Sequence, residues 1–147
     1  MPNHCYQSVC VQGPRALVQE LFFQLAEQGR FCDVIIPMPL SEASVGYNWR
    51  VENWGTKWDV ADVEIDSPYD PLEHSYTDDK KVVKFSFRCW TAWAPPIPVW
   101  DKLHEMGVTV EAEYQDEGGM FEGKYRDGAD ECWVPDLEQA IVFEETV

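Results

Sequence analysis

Apolar residues recur along this chain at two spacings, and the switches between them mark its elements. Residues 5–12 alternate up to Gly13-Pro14 and predict a first strand. Leu17, Val18, Leu21, Phe22 and Leu25 then follow at intervals of three and four, predicting a helix that begins near Pro14 and stops at Gly29. The apolar run Phe31–Ile36, closed by Pro37-Met38-Pro39, reads as a strand. Ser41–Trp58 is irregular and aromatic, a long loop by its pattern. Val60–Ile65 alternates cleanly, with Ala61, Val63 and Ile65 on one face and Asp62, Glu64 and Asp66 on the other.

Val82–Trp90 alternates again, setting Val83, Phe85, Phe87 and Cys89 against Lys84, Ser86 and Arg88. Antiparallel pairing of these two strands would place Lys84 and Arg88 opposite the three acids of the first. A short helix is expected after Pro95-Pro96 through Val99, Trp100, Leu103 and Met106, ended by Gly107. Val108–Tyr114 and Met120–Arg126 form a hairpin across Asp116-Glu117-Gly118-Gly119. Asp136 would cap a short final element. The order strand, helix, strand, strand, helix, strand, with extra strands, predicts an α+β fold: a ferredoxin-like sandwich with two helices on one face of an antiparallel sheet and an added hairpin. One domain over 1–147 with an acidic C-terminal segment is expected.

Composition narrows the function classes. Five cysteines, never in a Cys-x-x-Cys pair, read as buried reduced thiols rather than a zinc site or a disulfide framework, so neither metal nor cofactor is expected. The start of the chain has neither the basic nor the apolar region of a signal peptide, and no apolar run is membrane-length, which predicts a cytoplasmic protein. The net charge of −16 argues against direct nucleic-acid or membrane binding and for basic partners.

Several motifs carry a further signal. Met1-Pro2-Asn3-His4-Cys5, Ile36-Pro37-Met38-Pro39, the run Glu52–Asp59, Thr91-Ala92-Trp93-Ala94-Pro95-Pro96 and Gly118–Gly123 resemble the YubB-like family of phage and conjugative-plasmid proteins. The resemblance implies a ferredoxin-like domain and a mobile-element origin, in a bacterial host cell, and carries over no biochemical activity. The chain departs from the family's pattern at Gln7 and in its acidic tail.

Two readings of the chemistry follow. Catalytic groups are unsupported: His74 and His104 have no nucleophile motif beside them, and among 27 acids carboxylate pairs arise by coincidence. The leading expectation is therefore a non-enzymatic inhibitor of a host nucleic-acid-handling defence complex, a CRISPR effector or restriction nuclease. Its acidic patches would mimic DNA, which presents one charge per about 1.7 Å of axis. The candidate contacts are Asp116, Glu117, Glu122, Asp127, Asp130 and Glu131, with Asp78 and Asp79 as a second patch. The alternative is a small-ligand pocket made by Trp49, Asn53, Trp54, Lys57 and Trp58. The same residues also suit a structural clamp, with Gly55 as its turn.

Overall fold

The computed structural model describes residues 3–42, 46–66 and 82–135. Its elements are strand β1 (His4–Pro14), helices α1 (Arg15–Gln28), α2 (Cys32–Ile35) and α3 (Tyr47–Trp54), strands β2 (Ala61–Ile65) and β3 (Val82–Ala92), helix α4 (Ile97–Glu105), and strands β4 (Thr109–Asp116), β5 (Glu122–Arg126) and β6 (Ala129–Trp133). The fold is α+β. Six strands form one sheet in the order β2-β3-β1-β4-β5-β6, every neighbouring pair antiparallel.

Alternation decides what each face of the sheet does. Cys5, Val9 and Val11 of β1, Val83, Phe85 and Phe87 of β3, and Val110 and Ala112 of β4 point to one side and are buried. α1 covers them with Val18, Leu21 and Leu25, and α4 with Val99, Trp100 and Leu103. Trp100 is fully buried against Tyr114 and Tyr125, with ring centroids 6.3 and 5.2 Å apart. Each such side chain contributes about 1.5–3 kcal/mol by leaving water. Residues of the opposite phase form a second, open face, which no helix among the described residues covers.

The expected strand at 31–36 is instead the helical turn α2. An apolar run this short does not distinguish strand from helix, and a distant carboxylate decides. Asp59 accepts the backbone N–H groups of Phe31 at 3.2 Å, Cys32 at 2.8 Å and Asp33 at 3.0 Å, satisfying the helix start. The expected loop at 41–58 contains α3, which ends at Gly55 in the left-handed conformation (φ 77°). β6 was not foreseen, because both its faces are exposed and it has no apolar phase to read.

Elsewhere the expected pattern holds with refinements. Gly29 ends α1 at φ 66°. Arg88 pairs with Glu64 at 2.7 Å and Asp66 at 2.6 Å, as antiparallel pairing of β2 and β3 requires. Asp62 sits in a register shift at φ 49° and binds the Trp90 indole instead, while Lys84 lies further along, opposite Gln12. Of the thiols, Cys5, Cys32 and Cys89 are buried and free, but Cys10 is half-buried and Cys132 is exposed, contrary to expectation. Among the described residues no helix is long and apolar enough to cross a membrane. His74, Asp78, Asp79 and Asp136 lie outside the described residues.

Candidate functional site

The aromatic run 53–59 is built into the fold. The Trp54 indole is buried and donates to the Ile36 carbonyl at 2.8 Å. The Thr56 hydroxyl donates to the Ala92 carbonyl at 2.9 Å, and Arg50 to that of Lys57 at 2.6 Å. Asn53 donates to the Trp49 carbonyl one turn back at 2.9 Å, and Trp49 packs edge-on against Trp54. Trp58 meets Trp90, and the Lys57 ammonium lies 5.6 Å from the Trp58 ring centre and 5.2 Å from that of Trp93. With Asp59 capping α2, the segment ties α2 and α3 to the end of β3.

The acidic candidates do not form one patch. Asp116 is 5% exposed, and its carboxylate accepts the Met120 N–H at 3.0 Å, shaping the β4–β5 turn. Glu117 in that turn accepts the His4 N–H at 3.0 Å and the Tyr6 hydroxyl at 3.3 Å. Glu122 accepts the Trp133 indole N–H at 2.8 Å. Asp127 lies at the far end of β5, 3.2 Å from the His104 ring. Asp130 turns to the helix side and takes the Tyr114 hydroxyl. Glu131 is exposed on the open face, opposite Lys124 in register.

What the structure does assemble is a set of rows across the open face. Register places Ala61, Trp90, Tyr6, Gln115, Glu122 and Trp133 side by side on the six strands. The next row is Glu64, Arg88, Ser8, Glu113, Lys124 and Glu131, alternating in charge about the neutral serine. The rings of the first row rise above the shorter Gln115 and Glu122 between them. A hollow of about 500 Å³ results, with Tyr6 and Trp90 on one wall and Trp133 on the other. It runs on into a second hollow of about 380 Å³ that shares Ser8, Glu113 and Lys124 and reaches Cys10, Glu111 and Arg126. Together they make a groove along β1, β4 and β5.

Each large ring on this face is held by a carboxylate. The Trp90 indole donates to Asp62 at 2.6 Å, the Tyr6 hydroxyl to Glu117, and the Trp133 indole to Glu122. Desolvation and the adjacent Glu117 push the Tyr6 phenol above its ordinary value, so it stays neutral. His4 stacks on Trp90 at 3.7 Å, covering one face of that ring. Tyr6 and Trp133 remain 42% and 40% exposed. Cations also line the groove, but they are engaged: Arg88 by Glu64 and Asp66, Lys124 by Glu113 at 3.7 Å, and Arg126 by Glu111 at 3.2 Å. Among the described residues, Asp62 and Glu122 face no cation. Burial and the nearby Glu111 raise the Cys10 thiol above its ordinary value, only partly countered by Lys84, which disfavours the thiolate.

No protein-family model matches the chain, nor does any curated protein or solved structure. Function must therefore be read from this face. Tyr6, Trp90, Gln115 and Trp133 were not singled out from sequence. Their signal was two aromatic residues in the polar phase of β1 and β3, which gains meaning only when register brings them into one row.

Proposed function

We propose that this protein is a non-enzymatic accessory protein of a mobile genetic element. On this reading it binds and inhibits a basic, nucleic-acid-handling defence complex in the bacterial cytoplasm, a CRISPR effector or restriction nuclease. The observation that carries the reading is the groove on the open sheet face. Exposed aromatic rings line it, with carboxylates that have no cation partner among the described residues, on a chain of net charge −16. Tyr and Trp in a concave, partly dry setting are the residues that anchor protein interfaces. The surrounding negative field steers a Lys/Arg-lined partner toward them and disfavours nucleic acid.

The β2-β3-β1-β4 order, with α1 following β1 and α4 joining β3 to β4, supports a ferredoxin-like core extended by β5 and β6. The mobile-element origin rests on the YubB-like motifs, above all the run Asn53–Asp59. The contact surface shifts relative to the sequence expectation. Glu122 and Glu131 belong to the open face, whereas Asp116, Asp127 and Asp130 serve the turn, His104 and Tyr114.

Purified effector complexes and restriction nucleases, assayed for DNA cleavage with and without the full chain, test this. Inhibition is expected, with association slowing at least about tenfold from low to high salt. Inhibition equal at both salts, or cleavage unaffected across the panel, would remove the reading.

A further inference from the structure

We infer that the groove takes an extended, arginine-bearing segment of the partner, with one arginine seated at its Trp133–Glu122 end. The inference deepens the proposed function and rests on it for the claim that the ligand is a protein.

Shape favours a segment over a small molecule. Tyr6 on β1 and Trp133 on β6 are three strand spacings apart, about 14 Å at the level of the backbone. That is too wide to sandwich one planar group, but wide enough for an extended chain with side chains to either side. The hollow is also open along the strands, through the Glu113–Lys124 row to the Glu111–Arg126 row. A segment in it would run parallel to β4 and meet one row for every two residues.

Chemistry favours arginine at one end. Trp133 is held edge-on by its N–H to Glu122, so one carboxylate oxygen is committed to the indole, while among the described residues no aromatic ring stacks on the half-exposed indole. A guanidinium can stack on the indole and donate to the second oxygen of Glu122 at once, matching its planar fork. The bond from the neutral indole orients Glu122 without cancelling its charge. The opposite wall is a poorer cation site, because His4 already stacks on Trp90. A second arginine beside Asp62 is therefore not required. In the next row the ion pairs Lys124–Glu113 and Arg126–Glu111 are already satisfied and would contribute selectivity more than affinity.

The test uses the full chain and three pentapeptides that differ only at the centre: Ala-Ala-Arg-Ala-Ala, its lysine counterpart and its citrulline counterpart, all with blocked ends. The readout is the indole N–H resonance of Trp133, assigned by its loss in Trp133→Phe. The arginine peptide is expected to shift that resonance saturably, with a Kd of about 1 mM. Lysine should bind about threefold and citrulline about tenfold more weakly. Glu122→Gln preserves an acceptor for the indole but removes the charge, and is expected to weaken arginine binding about tenfold. Glu105→Gln, an exposed acid on α4 that removes the same charge elsewhere, should leave it unchanged. Equal binding of arginine and citrulline peptides, equal effects of Glu122→Gln and Glu105→Gln, or no shift at Trp133 would each overturn the inference. Stacking of a single-stranded oligonucleotide on the same resonance in place of the peptide would overturn it too. The two readings fail separately. A nuclease inhibited equally by wild type and Glu122→Gln leaves the proposed function standing without this anchor, whereas arginine selectivity without any inhibited nuclease leaves the anchor without that function.

Discussion

Asp59 does more for this fold than any other single polar residue described. Its carboxylate gathers the backbone N–H groups of Phe31, Cys32, Asp33 and Val60, at distances from 2.7 to 3.3 Å. Those donors are the unsatisfied start of α2 and the entry to β2, so one side chain joins two segments 26–28 residues apart in sequence. Hydrogen bonds to a charged acceptor contribute about 1.5–3 kcal/mol each, and they are not additive. Asp59→Ala is therefore expected to lower unfolding free energy by about 3 kcal/mol, measured by urea denaturation. A loss below about 0.5 kcal/mol would mean that water replaces the carboxylate at no cost. Gly55 belongs to the same device: its φ of 77° favours glycine, and an added Cβ would come within 2.8 Å of the Pro98 ring.

Among the elements, β5 and β6 are the ones on which the groove depends, and β6 has the least burial to hold it. β6 is exposed throughout and, among the described strands, pairs only with β5. Gly123 lets the two strands close over Tyr114, because a Cβ there would run into the Tyr114 hydroxyl and the Glu131 carbonyl. Gly123→Ala is thus expected to destabilise by about 1–3 kcal/mol. Hydrogen exchange should quicken first at the β6 amides while those of β1 stay protected; uniform acceleration would show that β6 unfolds with the core. The same contrast explains what was legible in the sequence. β1, β3, α1 and α4 each bury one phase of a regular pattern, and their apolar residues announced them. α2 and α3 depend on contacts from Asp59 and on the Gly55 turn, which no local window contains. β6 is held by backbone pairing and by the Asp130–Tyr114 and Trp133–Glu122 hydrogen bonds, none of which an apolar pattern announces. The groove was hidden for a related reason: its residues come from all six strands, and no spacing along the chain relates Tyr6 to Trp133.

At the scale of the whole molecule, the buried acids of the core set an alkaline limit. Burial pushes the Cys5 thiol up to about 12 from its ordinary 9.0. Burial and the nearby Asp59 also raise Cys32 and Cys89. Burial, together with hydrogen bonds to Asp130 and Asp101, raises Tyr114 and Tyr125 above their ordinary 10.0. Above about pH 9 the unfolded chain releases these protons while the folded chain keeps them, so the folded state binds more protons and stability falls as pH rises. Below about pH 9 their contribution is complete. Each buried thiol then costs about 1.4 kcal/mol per pH unit above its unfolded value. Urea midpoints should be flat in this respect from pH 7 to about 8.5 and fall steeply by about pH 10; a midpoint unchanged there would contradict the burial of these thiols.

The placement of every described helix on one side of the sheet has an evolutionary consequence. Folding information is concentrated in one phase of β1, β3, β4 and β5, and the other phase is nearly free of it. Surface substitutions of that kind usually change stability by less than about 0.5 kcal/mol. A lineage can therefore rewrite positions 6, 113, 115, 122 and 133 without having to rediscover how to fold. On the proposed inhibitor reading, a target that replaced the seated arginine would be answered by changes at a handful of such sites. The pace of such an exchange would then be set by the partner and not by the stability of the scaffold.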